Sequence, residues 1–296
     1  MPIDYDKLLA LNIPEAVQAY TEKDAILYAL GIGLGRDPMD ENELPFVYEK
    51  NLKILPTFAT VLSWPGFWVR DLDTGIDWVR VVAGEQSLVL HRPLRRRGTV
   101  VSRTRVTEVI DKGAGKGALV YSQRTLIDRE SGELVATVTQ TTFCRGDGGF
   151  GGPPRAAPPP HSVPARAPDL VCDRPTRPEA ALIYRLSGDP NPLHADPAVA
   201  KAAGFPRPIL HGLASFGIAC HGILRCLCDH DTARLKAISA RYSAPVFPGE
   251  TLRTQMWRDG AIVSFRSRVV ERDAVALNNG RCELAHVPEK WTPVLR

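Results

Sequence analysis

The sequence predicts an α+β protein built from two similar halves, each an antiparallel sheet wrapped around a buried helix. Three observations carry that reading. Strand-like segments rich in β-branched and aromatic residues close each half: 99–109, 118–127 and 134–143, then 238–242, 251–257, 262–270 and 275–284. Their connections are too short for helical crossovers, so neighbouring strands pair antiparallel. A run at 209–228, ILHGLASFGIACHGILRCLC, is apolar nearly all round and must be covered on most sides if helical.

The third observation is a boundary. Residues 146–168 read GDGGFGGPPRAAPPPHSVPARAP, a Gly and Pro density that no helix or central strand survives. The chain therefore divides into an N-terminal domain at 1–150, a stiff linker at 151–168 and a C-terminal domain at 169–296. The halves echo each other. Thr21-Glu-Lys-Asp24 and Thr176-Arg-Pro-Glu179 both read as helix-start capping boxes, each followed by a tyrosine-centred phrase. Arg92–Thr99 has a counterpart in Ala244–Thr251. Two copies indicate a duplicated domain rather than a solenoid.

Composition sets the class. The chain has 296 residues, with 37 Lys and Arg against 33 Asp and Glu, a surplus too small for a nucleic-acid binder. Its six cysteines include no C-x-x-C pair and read as free thiols in a reducing compartment. No apolar stretch approaches the roughly 18 residues of a membrane span. Neither the polar start nor the terminal Val294-Leu295-Arg296 reads as an address, so a cytoplasmic protein is expected. His211, His221 and His230 lack the ligand spacing of a metal site, so no metal is expected.

The segment richest in chemistry is Tyr184-Arg-Leu-Ser-Gly-Asp-Pro-Asn-Pro-Leu-His194. Gly188, Pro190 and Pro192 halt the preceding helix and leave a rigid loop that brings Asp189 and His194 toward one small volume. Such a pair can hold a water, one group taking its proton while the other gives or orients one. A carboxylate beside the imidazole also favours the protonated ring. Spacing alone equally fits a turn in which Asp189 caps amides and His194 is a loop residue.

SGDPNPLH, with Ala203-Gly-Phe-Pro-Arg-Pro-Ile-Leu-His-Gly-Leu213, resembles the signature of the MaoC-like hydratases. Within them it is most similar to the 2-enoyl-CoA hydratase 2 family, which includes the hydratase part of the peroxisomal multifunctional β-oxidation enzyme. Tyr28-Ala-Leu-Gly-Ile-Gly33, Gly84-Glu-Gln86, Asp111-Lys-Gly113, residues 146–152 and Arg241–Gly249 extend the likeness over nearly the whole chain. The resemblance implies a double hot-dog fold and hydration of a trans-2-enoyl-CoA to the (R)-3-hydroxyacyl-CoA, with coenzyme A part of the substrate and no separate cofactor.

It also implies roles. Asp189 and His194 match the catalytic pair, and Asn191 a residue that positions the water. Gly212 would present its amide to the thioester oxygen. Tyr28 and Glu49 match polar substrate-side residues of the first half, although Glu49 equally reads as a solvated acid. The first half has lost the motif, with Gly33 near where an aspartate would fall, and is expected to hold the acyl chain. Ala83 replaces a histidine common in the family. Other readings are a non-catalytic acyl-thioester binder, or a hydratase for a branched, steroid-side-chain or dicarboxylic enoyl-CoA. A homodimer is expected. Arg92, Arg95, Arg96 and Arg97 read as a solvated turn or a phosphate site. Trp64, Trp68 and Trp78, with Phe58 and Phe67, read as core or as an acyl pocket.

Overall fold

The computed structural model describes residues 2–285. Its strands are β1 Ala16–Tyr20, β2 Val81–Leu90, β3 Gly98–Asp111, β4 Ala118–Asp128, β5 Leu134–Cys144, β6 Leu170–Pro175, β7 Leu235–Tyr242, β8 Thr251–Asp259, β9 Ile262–Val269 and β10 Ala274–Leu284. They pair antiparallel in the order β1-β3-β4-β5-β2-β7-β10-β9-β8-β6. Read outward from the β2–β7 junction, the two halves repeat one order, which is the topology a duplication leaves. The expected double hot-dog is therefore present, with its two half-sheets joined edge to edge as one. The junction runs from Glu85 opposite Arg241 to Val89 opposite Ala237, and Arg241 Nε donates to Glu85 Oε1 at 2.8 Å.

Three strands had no clear signal. β2 carries Gly84 at a bulge, where an added Cβ would meet the Thr141 carbonyl oxygen at 3.1 Å. β1 and β6 are short edges, and β6 ends on Pro175.

The halves differ in what covers the sheet. In the second, the apolar run becomes a helix at Gly212–Leu227, buried at every residue from Ala214 to Leu224. Its Phe216, Ile218, Ile223 and Leu224 each contribute about 1.5–3 kcal/mol by leaving water. Among the described residues the first half has no equivalent, which corrects the expectation of one long helix per half. Pro56, Pro65 and Gly66 interrupt the corresponding stretch, so only a 3-10 turn at Pro56–Thr60 forms there. It packs on β2, β5 and the long helix. A helix at Glu22–Gly31 lies against a short one at Ala180–Tyr184.

Of the two capping boxes, the first forms: Thr21 N and Oγ1 both donate to Asp24 Oδ2 at 2.7 Å. The second does not. Thr176 Oγ1 instead donates to the Glu250 carbonyl at 2.8 Å and accepts from Gly249 N, tying β6 to the turn before β8. Residues 151–168 contain neither helix nor strand and are largely exposed, with His161 holding the segment to Ser264 and Asn279. Residues 294–296 lie outside the described residues. No helix among the described residues is long and apolar enough to cross a membrane.

Candidate active site

The helix Ala180–Tyr184 tightens into a 3-10 turn and stops at Gly188, whose φ of +119° lies in the left-handed region that glycine tolerates. The following loop is held by its own side chains. Asn191 N donates to Asp189 Oδ1 at 3.1 Å, and Leu193 N donates to Asn191 Oδ1 at 3.0 Å. A second 3-10 turn, Pro192–His194, delivers His194 into the interior. Asn191 itself is exposed and braces the loop.

His194 is buried, and its Nδ1 lies 2.8 Å from the Ile209 carbonyl oxygen. A carbonyl only accepts, so Nδ1 carries the proton and Nε2 of the neutral ring presents a lone pair. Burial lowers the His194 pKa against the opposing pull of the Ile209 hydrogen bond and the Asp189 charge. This corrects the expectation that the carboxylate holds the ring protonated: desolvation outweighs it.

His211, read as structural from the sequence, belongs to the same cluster. Its ring stacks on His194 with centroids 3.6 Å apart, and its Nε2 lies 4.0 Å from Asp189 Oδ2. Burial and the neighbouring His194 push its pKa down to about 3. Asp189, His194 and His211 each offer one ligand atom, all within 4.8 Å of one another, a convergence that spacing did not reveal. Gly212 opens the long helix beside them. The first amides of a helix have no intrahelical acceptor, so this end of the cluster carries partial positive charge. A Cβ at Gly212 would sit 3.0 Å from the Tyr242 ring.

Asp189, Gly188 and Leu213 line a cleft of about 170 Å³. Val61, Trp64, Pro65 and Trp68 supply an apolar side, and Thr104, Ser122, Arg124 and Gln140 a polar wall on the first half-sheet. The missing helix is what leaves this space open. Of the aromatics, Trp64 and Trp68 line the cleft, Phe58 packs on Tyr20 and Tyr28, and Trp78 packs on Phe67 while half exposed.

Other sequence candidates fall elsewhere. Tyr28 is fully buried and outside the cleft lining, its ring against Phe58 and Tyr184. Thr57, Thr60 and Tyr184 surround its hydroxyl, yet none meets it in good hydrogen-bond geometry, and burial raises its pKa. Glu49 is exposed and outside the cleft lining. Its segment packs near His221, nine residues and so about 13 Å along the long helix from Gly212. The buried acid there is Glu43, which accepts from Gly35 N, Arg174 and Arg225. Ala83 is exposed on β2 and outside the cleft lining. Arg92 and Arg95 pair with Glu133 and Glu130, so part of the basic cluster is a solvated turn.

Two of the functional surroundings were missed. Arg124 stands at an inward position of β4, where burial alternates strictly, and that period of two was the available signal. His211 sits at the residue preceding the long helix, an N-cap position with no spacing pattern of its own.

Known proteins match both halves. The MFE-2 hydratase 2 N-terminal domain matches residues 18–146, and the MaoC like domain residues 161–279. The peroxisomal enoyl-CoA hydratase 2 of Arabidopsis thaliana is 39% identical over 92% of this chain and 93% of its own length. The crystal structure of a MaoC-like dehydratase from Phytophthora capsici superposes with a TM-score of 0.84 at 36% identity, covering 96% of this chain and 99% of the other. A Mycobacterium tuberculosis protein described as a double hotdog fold shares the fold alone, with a TM-score of 0.58 at 18% identity over 96% of each chain. With relatives this similar spanning both halves, the chain belongs to the MaoC-like enoyl-CoA hydratase 2 family.

Proposed function

We propose that this protein is an (R)-specific 2-enoyl-CoA hydratase, working reversibly as a 3-hydroxyacyl-CoA dehydratase, with Asp189 and His194 as its catalytic pair. The observation that carries the assignment to these residues is that Asp189 and His194 converge, with His211, within 4.8 Å at the start of the long helix, and that Asp189 and Leu213 line a cleft.

The mechanism follows from those groups. A water held between Asp189 and His194 gives a proton to Nε2 as its oxygen bonds to C3 of the enoyl thioester. Electrons shift through the double bond onto the thioester oxygen. The Gly212 amide and the helix end meet that charge, and one such donor is worth about 10²–10³ in rate. The proton taken up by the pair returns to C2, completing the addition of water. Asn191 holds Asp189 in place, and His211 backs the His194 ring. Tyr28 acts by packing, and Glu49 takes no part. Coenzyme A enters with the substrate, and the residues need no cofactor for this proton transfer. A cytoplasmic location and a homodimer complete the proposal on the sequence reading. Fractionation and light scattering test these two points.

The purified protein should remove the enoyl absorbance of trans-2-enoyl-CoA esters and yield the (R)-3-hydroxy product. Asp189→Asn and His194→Ala should each lower kcat/KM by about 10²–10⁴ while melting as the parent does. Full activity in both variants refutes the assigned pair. Binding of acyl-CoA without turnover by the parent identifies a carrier instead.

A further inference from the structure

Arg124 is buried, at 7% exposed, yet it pairs with no carboxylate among the described residues. Its Nη2 donates to the Thr60 carbonyl at 2.5 Å, and its Nη1 has no partner among the described residues. Burial alone acts on the guanidinium and lowers its pKa to about 10, so it stays charged at neutral pH. A buried charge is ordinarily paired. Here Arg124 lines the cleft that Asp189 also lines.

Its surroundings extend the pattern. Thr104, directly opposite on β3, also has a buried hydroxyl without a partner. Ser122 and Gln140, opposite each other on β4 and β5, line the same wall. An alkyl tail placed here would leave the guanidinium and the Thr104 hydroxyl unpaired in a dry space. A carboxylate would accept from both, and the planar guanidinium fork suits it.

The reach is short. Arg124 holds the Thr60 carbonyl, and a Cβ at Gly188 would stand 3.9 Å from the Val61 carbonyl. Because Thr60 and Val61 are adjacent, the guanidinium lies within about 10 Å of the catalytic loop.

We propose that the cleft takes a 2-enoyl thioester whose acyl chain ends in a carboxylate, with Arg124 and Thr104 as the residues that recognise that end. This rests on the hydratase reading and narrows its substrate class to the monothioesters of short unsaturated dicarboxylic acids.

The test compares the CoA monoesters of trans-2-hexenedioic and trans-2-octenedioic acids with trans-2-hexenoyl-CoA and trans-2-octenoyl-CoA. The parent should favour the diacid series in kcat/KM by at least about tenfold. Arg124→Met should abolish that preference while still hydrating hexenoyl-CoA, and Arg124→Lys should retain part of it. Equal or better use of the unsubstituted chains by the parent overturns the proposal, whether or not the variants fold. So does an equal loss on both series in a folded Arg124→Met. Calorimetry with adipyl-CoA against hexanoyl-CoA reads the same preference without turnover. Tight adipyl-CoA binding with no hydration of any ester would sink the hydratase reading and keep this one. Hydration without a diacid preference would do the reverse.

Discussion

Replacing Gly217 with alanine should press a methyl group into the packing beneath the active site. Gly217 lies on the long helix, and an added Cβ would stand 2.7 Å from Tyr28 Oη and 3.0 Å from Ile32 Cγ2. Neither neighbour can retreat freely, because Tyr28 is fully buried between Phe58 and Tyr184. Overpacking of this kind costs about 1–3 kcal/mol. Alanine returns about 1 kcal/mol through its better helix propensity. Gly217→Ala alone should therefore be between neutral and about 2 kcal/mol less stable. In a Tyr28→Phe background the nearest contact vanishes with the hydroxyl, only the Ile32 contact remains, and part of the helix gain should emerge. Urea midpoints of the four proteins, at equal slopes, should then show a coupling of about 1–2 kcal/mol, above the roughly 0.5 kcal/mol within which independent sites add. Additive effects would refute the packing argument. Tyr28→Phe should also leave KM unchanged, and a tenfold rise would return Tyr28 to the substrate site.

Burial sets the remaining predictions. Because desolvation lowers the His194 pKa, the base stays unprotonated below the ordinary histidine range. The acid limb of kcat/KM should therefore fall below about pH 6.5, and a limb above it contradicts the neutral-base assignment. The same groups couple to folding. His194 and His211 stay neutral in the fold but charge when it opens, so the unfolded state binds more protons and urea midpoints should drop as pH falls below about 6.5. Midpoints flat down to about pH 5 would deny their burial as neutral rings. Glu43→Gln should cost about 3 kcal/mol, the low end for breaking a buried pair, because Arg225 is partly exposed. Glu49→Gln should change stability by less than about 0.5 kcal/mol and leave activity intact. The reverse ranking of the two acids in urea would show that the wrong one had been placed in the core.

The sequence by itself determined most of the frame. Segments rich in β-branched and aromatic residues marked β3, β4, β5 and β7 to β10, and an unbroken apolar run marked the long helix, because composition and burial are written in residue order. Gly188, Pro190 and Pro192 made the Asp189–His194 loop legible for the same local reason. Tertiary structure decided what depends on distant neighbours. Glu49 and Glu43 sit six residues apart with like charge, and only packing against Arg174 and Arg225 shows which is buried. Thr176 reads as a helix cap until Glu250 comes within reach of its hydroxyl. His194 has a carboxylate nearby in sequence, but the burial that overrides it comes from the fold. Arg124 is one arginine among many until β3, β5 and the missing helix of the first half close around it, leaving a buried charge facing the acyl cleft.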